Sequence, residues 1–242
     1  MIELLLPLPV ATADTFHDVP DAPLFPAEER VVAASTPERR REFTTVRACA
    51  RAALRDLGRA PAPILPDDRG APVWPTGTVG SMTHCAGYLA AAVAPAPDIA
   101  AVGIDAEPNL PIATDGARKL VMLPEERSRA AALRAHRPEI HWDRLVFSAK
   151  EAVFKVWFPL TGRELEFEEV FLTVDPESQS FRALLLVPGP VVDGRNVQEL
   201  SGTWLLGRGT LLTAIALTRD GASLTGDGPV PNALTQKAFS CP

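Results

Sequence analysis

Residues 144–159, RLVFSAKEAVFKVWFP, constrain the fold more than any other stretch of the chain. At 3.6 residues per turn, Leu145, Val146, Ala149, Val153, Val156 and Trp157 fall on one broad apolar stripe, the pattern of a helix packed on a core. Phe147, Glu151 and Lys155 stand four residues apart and share a second flank, with Ser148 beside them. Asp143 is the expected N-cap. Pro159 is the expected stop, because the residue before a proline avoids the α region. An acid and a base on so apolar a helix must pair with each other or face a polar cavity. Taken alone, Glu151 and Lys155 fit an exposed i,i+4 surface pair better than a site.

A second stretch weighs against that plain reading. Residues 103–108, GIDAEP, follow the apolar run 99–102 and form the expected end of a buried strand. Alternation with period two puts Asp105 and Glu107 on one face and Ile104 and Ala106 on the other. Two neighbouring carboxylates repel, and neither ionises easily without a cation between them. Hard oxygen ligands in this arrangement suit Mg²⁺, which keeps some waters and accepts phosphate oxygens. With Glu151 and Lys155 added, the set describes a site for Mg²⁺ and a pyrophosphate. The competing reading of D-x-E alone is a strand end showing two acids to water.

Composition sets the outer bounds. The 242 residues, 46% of them hydrophobic and 22% charged, suffice for one large domain or two small ones with a real core. A net charge of −6 speaks against a large nucleic-acid footprint, though not against a local basic patch. The three cysteines, Cys49, Cys85 and Cys241, show neither zinc spacing nor a disulfide framework, so a cytoplasmic location is expected. The apolar N-terminus carries Glu3, is broken by Pro7 and Pro9, and is too short to span a bilayer; a first β-strand is expected there and no membrane segment.

In chain order, a proline-bearing loop at 12–26 precedes a short helix at 27–34. Thr36 caps the next helix, with Pro37 at its first position and Gly58 just past its end. Phe43, Val46, Ala50, Ala53, Leu54 and Leu57 supply its buried side, and it also carries Arg39, Arg40, Arg41, Arg47, Arg51 and Arg55. Arg47, Arg51 and Arg55, spaced by four, form either a solvated face or a phosphate-holding stripe. A Pro- and Gly-rich connection at 60–75 includes RGAPVWP at 69–75. Residues 79–93 read as a strand and turn followed by a helix or second strand, with His84 at the turn. His84 does not activate Thr83 or Cys85, because neighbours on a strand point apart. A loop at 108–114 leads to helices at 115–123 and 124–137. Strand segments of antiparallel character follow at 166–174, 181–187, 198–206 and 211–217, and 219–242 reads as a loose tail.

The two long helices echo each other. Phe43, Arg51 and Gly58 have the same spacing as Phe147, Lys155 and Gly162, and a β-rich stretch follows each helix. The expectation is two similar α+β halves, 1–102 and 103–218, one supplying arginines and the other metal carboxylates, with a flexible tail at 219–242.

GIDAEP at 103–108 and FSAKEAVFK at 147–155, preceded by RREFTTVRACARAAL at 40–54, RGAPVWP and GSMTHCAGY at 80–88, resemble the 4′-phosphopantetheinyl transferases. More narrowly, they resemble the long, two-half surfactin-synthetase-activating type found with polyketide and nonribosomal peptide assembly lines, in its actinobacterial form. The resemblance covers roughly residues 24–217, and it is the order and spacing of these motifs together that make it specific. Phe147 stands where many members carry Trp, and Ala71 where a Lys is common, which leaves Arg69 to meet the phosphate.

The resemblance implies a pseudo-dimeric α+β fold with the active site between its halves. It also implies transfer of phosphopantetheine from coenzyme A to a serine of apo acyl or peptidyl carrier proteins, releasing adenosine 3′,5′-bisphosphate. Asp105, Glu107 and Glu151 would hold Mg²⁺; Glu151, directly or through a metal-bound water, would take the serine proton; Lys155 would neutralise the pyrophosphate as the P–O bond breaks. Arg47, Arg51, Arg69, Thr83 and His84 would hold the 3′-phosphate end of coenzyme A. The segment 108–123, with Lys119 and Met122, would dock the carrier, and the enzyme would act as a monomer. Two alternatives stand beside it: a Mg²⁺-dependent hydrolase of nucleotide pyrophosphates, and a non-catalytic coenzyme A-binding module.

Overall fold

The computed structural model describes residues 1–224. The strands are β1 (Ala11–Thr15), β2 (Leu65–Pro66), β3 (Pro72–Val73), β4 (Thr78–Cys85), β5 (Tyr88–Pro95), β6 (Ile99–Pro108), β7 (Val170–Asp175), β8 (Ser180–Leu185), β9 (Val191–Val192), β10 (Arg195–Asn196), β11 (Glu199–Gly207), β12 (Thr210–Thr218) and β13 (Ser223–Leu224). The helices are α1 (Pro26–Val32), α2 (Pro37–Asp56), α3 (Asp115–Val121), α4 (Pro124–His136) and α5 (Trp142–Thr161).

Two antiparallel sheets carry the fold. The first has the order β1–β5–β4. The second runs β13–β12–β11–β8–β7, with β6 also paired to β12 over Ile99 to Pro108. Within it, β6–β12–β11 repeats the arrangement of β1–β5–β4. In both, the strand before the long helix pairs with the later strand of the hairpin that follows it. The helices repeat too. α2 and α5 each run for 20 residues and end against a glycine in the left-handed region, Gly58 at φ 68° and Gly162 at φ 65°. The molecule is thus two similar α+β halves, as the echo between the helices predicts.

Alternation explains how the halves pack. β5 is apolar on both faces: Ala91 and Val93 meet Ala50, Ala53 and Leu54 of α2, while Tyr88, Ala90, Ala92 and Ala94 meet Ile104, Ala106 and Leu212 of the other half. The apolar stripe of α5, Leu145 through Trp157, is at most 4% exposed and packs on the second sheet. Between the sheets, β4 and β6 have no backbone ladder. Instead the Ser81 and Thr83 hydroxyls accept from the Ile104 and Ala106 N–H groups, each at 3.1 Å. Those buried amides need partners, and the hydroxyls supply them. Gly103 completes the arrangement, since a Cβ there would meet the Ala152 carbonyl oxygen at 2.1 Å, so only glycine lets β6 lie this close to α5.

Several expectations need correction. The first strand starts at Ala11, and Ile2–Leu4 is instead a 3₁₀ turn. The turn of the β4–β5 hairpin lies after Cys85, so His84 is a strand residue. α5 begins one residue before Asp143, with His141 in the cap position. The Asp143 carboxylate accepts instead from the Ile112 N–H at 3.1 Å, tying down the loop after β6. Pro159 lies inside α5 and does not end it. So near the terminus its missing N–H removes one hydrogen bond, and the left-handed Gly162 makes the stop. The expected loose tail at 219–242 is anchored at its start: Arg219 Nε donates to the Ala96 carbonyl at 2.8 Å, and β13 pairs with Ala216 and Leu217. The rest of that expectation, 225–242, lies outside the described residues. Among the described residues, no helix is long and apolar enough to cross a membrane.

Candidate active site

A cavity of about 610 Å³ opens between the halves. α2 contributes Arg39, Glu42, Phe43, Val46 and Arg47 to its wall; β4 contributes Ser81, Thr83 and His84; the 69–74 connection adds Arg69 and Trp74. β6 contributes residues 100–102, and α5 of the other half contributes Glu151, Phe154, Lys155 and Phe158. The wall thus carries the cations Arg39, Arg47, Arg69 and Lys155 and the acids Glu42, Glu151 and Glu164 among the aromatic rings of Phe43, Trp74, Phe154 and Phe158.

β6 and α5 bring the carboxylates to its edge. Asp105 is 5% exposed. Lys155 Nζ donates to its Oδ1 at 2.8 Å and to the Ile104 carbonyl at 2.9 Å, and the Thr83 hydroxyl donates to the same Oδ1 at 3.4 Å. Asp105 Oδ2 is buried with no hydrogen-bond partner. A buried carboxylate oxygen left unpaired costs on the order of 1–3 kcal/mol or more, so the position calls for a further cation or donor. Glu107 shares the face of Asp105 and ion-pairs with Arg144 Nη1 at 3.0 Å. Burial first, and the Asp105 charge second, raise the Glu151 pKa, with Lys155 opposing. Glu107 is likewise raised by burial and by Asp105, with Glu151 adding and Arg144 opposing. Three acids therefore repel one another around two cations.

Among the described residues, no group of three His, Cys, Asp or Glu side chains is arranged to hold a metal ion as it stands. Asp105 is engaged by Lys155 and Glu107 by Arg144. The donor set nonetheless fits a divalent cation, because it is all hard oxygen, mutually repelling, and includes one orphaned buried oxygen.

The residues expected to hold phosphate divide. Arg47 lines the cavity, is 7% exposed, donates from Nε to the Ile64 carbonyl at 3.0 Å, and lies 3.2 Å over the Phe43 ring. Burial brings its pKa down to about 10; Glu28 opposes the shift, while Arg39 and Arg51 add to it. Arg69 lines the cavity and donates to the Gly162 carbonyl at 2.9 Å, bridging the halves. His84 lines it as well, on the opposite strand face from Thr83. Arg51 is a correction: it is not among the lining residues, since its guanidinium donates to buried Glu28 at 3.0 Å and to the Pro23 carbonyl at 2.7 Å. Asp105 and Glu107 are likewise absent from the lining; Asp105 reaches the cavity's edge through Lys155 and Thr83, which do line it. Thr83 lines the cavity, but its hydroxyl serves Asp105 and the Ala106 N–H.

Four residues escaped the sequence reading of the site: Arg39, Glu42, Arg144 and Glu28. Arg144 precedes Glu151 by seven residues, so helical spacing alone places it on that flank. Glu28 is the third residue of α1 and accepts from the Phe25 N–H at 2.9 Å, a capping pattern that marks it as structural.

Comparisons with known proteins match both halves of this architecture. A family model of the 4′-phosphopantetheinyl transferase N-terminal domain matches residues 27–94, and one of the 4′-phosphopantetheinyl transferase superfamily matches residues 101–195. The chain is 56% identical to 4′-phosphopantetheinyl transferase Svp of Streptomyces mobaraensis, over 90% of this chain and 89% of that one. It is 45% identical to 4′-phosphopantetheinyl transferase Npt of Nocardia iowensis, over 89% and 99% of the two chains. It is 44% identical to 4′-phosphopantetheinyl transferase PptT of Mycobacterium tuberculosis, over 86% and 92%. With both halves matched and relatives aligned over most of their length, the chain belongs to the 4′-phosphopantetheinyl transferase superfamily, enzymes that activate carrier proteins by transfer of phosphopantetheine from coenzyme A.

Proposed function

We propose that the cavity holds coenzyme A, with its pyrophosphate at Lys155 and the carboxylates and its 3′-phosphate at the cations of α2 and β4. The observation that carries this reading is the buried, unpartnered Asp105 Oδ2 beside Lys155 at the edge of a cation-lined cavity. Asp105, Glu107 and Glu151 are the residues that would hold the metal, Mg²⁺ on this reading. Such an ion supplies charge neutralisation for a pyrophosphate and a fixed orientation for in-line displacement.

The chain's own groups do the rest. Lys155 carries the cation that offsets charge building on the leaving adenosine 3′,5′-bisphosphate as the P–O bond breaks. Glu151 takes the proton of the carrier's serine hydroxyl; its raised pKa makes it a better base than an exposed glutamate. Thr83 and Arg144 are positioning residues, orienting Asp105 and Glu107. Arg47, Arg69 and His84 bind the coenzyme's phosphates and adenosine, with Arg39 joining them, while Arg51 acts one step removed through Glu28. On this reading the half 1–102 binds the coenzyme and the half 103–218 carries the metal and the base.

The acceptor is an apo acyl or peptidyl carrier protein, and the enzyme works as a cytoplasmic monomer. Docking is assigned to 108–123, where Leu110 and Leu120 are 60% and 72% exposed beside Arg118 and Lys119. Met122 drops out of that surface because it is 2% exposed.

Steady-state turnover of coenzyme A with a carrier tests the assignment. Glu151→Gln, Asp105→Asn and Lys155→Ala are each expected to lower kcat by about 10²–10⁴-fold with circular dichroism unchanged. Turnover near that of the unaltered enzyme in Glu151→Gln would refute the role of base.

A further inference from the structure

The cavity's cation wall contains an acid that a polyanion-binding site does not need. Glu42 lies one turn after Arg39 on α2, and both line the cavity with His84. Its Oε2 is 3.3 Å from Arg39 Nη1 and 3.1 Å from His84 Nε2. Arg39 Nη1 and His84 Nε2 are themselves 3.2 Å apart, so the two basic groups converge and the carboxylate sits against both. Glu42 is 33% exposed on its side chain, and among the described residues its side-chain partners are these two groups. Core packing therefore does not account for it.

A converging arginine and histidine are a binding site for a phosphate monoester, which accepts charge-assisted hydrogen bonds from both. A carboxylate makes the same bonds with one charge fewer. We propose that Glu42 is an internal stand-in for the ligand's phosphate monoester: it satisfies Arg39 and His84 while the cavity is empty, and it must yield when the phosphate enters. The pair is partly exposed, so displacement is inexpensive, yet the displaced carboxylate stays near a dianion and repels it. Glu42 is then a residue that sets affinity and weakens binding of the 3′-phosphorylated ligand selectively. The inference rests on the reading of the cavity as the coenzyme A site.

The test measures KM for coenzyme A and for 3′-dephospho-coenzyme A, at saturating carrier, in the unaltered enzyme, Glu42→Gln and Arg39→Ala. Glu42→Gln should lower KM for coenzyme A roughly two- to fivefold, the scale of a partly exposed charge pair, and leave KM for the dephospho form unchanged. Arg39→Ala should raise KM for coenzyme A and not for the dephospho form. Calorimetric binding of adenosine 3′,5′-bisphosphate should tighten in Glu42→Gln by a similar factor. If Glu42→Gln weakens or does not alter coenzyme A binding while Arg39→Ala stays selective, the stand-in role is overturned and the phosphate placement survives. If Arg39→Ala affects both ligands alike, the placement of the 3′-phosphate on this wall fails and the inference fails with it.

Discussion

Cys85 shows how burial and the carboxylate cluster act together on a single residue. Burial first, then the charges of Glu107 and Asp105, push its thiol up to about 12. A raised pKa means that the thiolate, the reactive form, is scarce until the pH approaches that value. At pH 8.5, where an ordinary thiol is about half ionised, Cys85 should react with iodoacetamide far more slowly than a free thiol, its rate still climbing at pH 10. Peptide mapping separates it from Cys49 and Cys241; labelling of Cys85 at a free-thiol rate at pH 8.5 would contradict this. At this scale the clustering of Asp105, Glu107, Glu151 and Lys155 was legible because two short-range periodicities, two and four, put charge where apolar neighbours demand a partner. The direction of Arg51 was not. Its partner Glu28 lies 23 residues earlier on a different helix, and nothing local in the sequence marks the pair.

Elements were legible where capping chemistry is local. α2 is the clearest case: the Thr36 hydroxyl accepts from the Arg39 N–H at 3.2 Å, and Gly58 turns left-handed just past the end. α5 was misjudged at both ends, because Asp143 is drawn to the 108–114 loop and a proline in a last turn is tolerable. That loop and α3 carry the proposed docking surface. Leu120 projects from a helix of seven residues with 72% of its surface exposed. If the carrier covers it, Leu120→Glu should raise KM for the carrier about tenfold or more and leave KM for coenzyme A unchanged, with melting temperature preserved. An unchanged carrier KM would move the docking surface elsewhere.

For the whole molecule, the matched spacing of Phe, cation and Gly in the two long helices was enough to foresee two similar halves. What the sequence did not disclose is how they join. β6 pairs with β12, whose residues follow more than a hundred positions later, and is stitched to the first sheet through two hydroxyls. Such contacts are set by tertiary packing and leave no local period. Their consequence is functional: the strand bearing Asp105 becomes the seam between the halves, with Lys155 on one side and Thr83 on the other. On the proposed reading, this seam transfers phosphopantetheine with the help of a metal held by its carboxylates. Intact mass spectrometry of an apo carrier protein incubated with the enzyme, coenzyme A and Mg²⁺ tests it most directly, with EDTA and Asp105→Ala as controls. The account predicts a gain of one phosphopantetheine on a single carrier serine, abolished by both controls. No gain on either acyl or peptidyl carriers, with phosphopantetheine released into water instead, would contradict it.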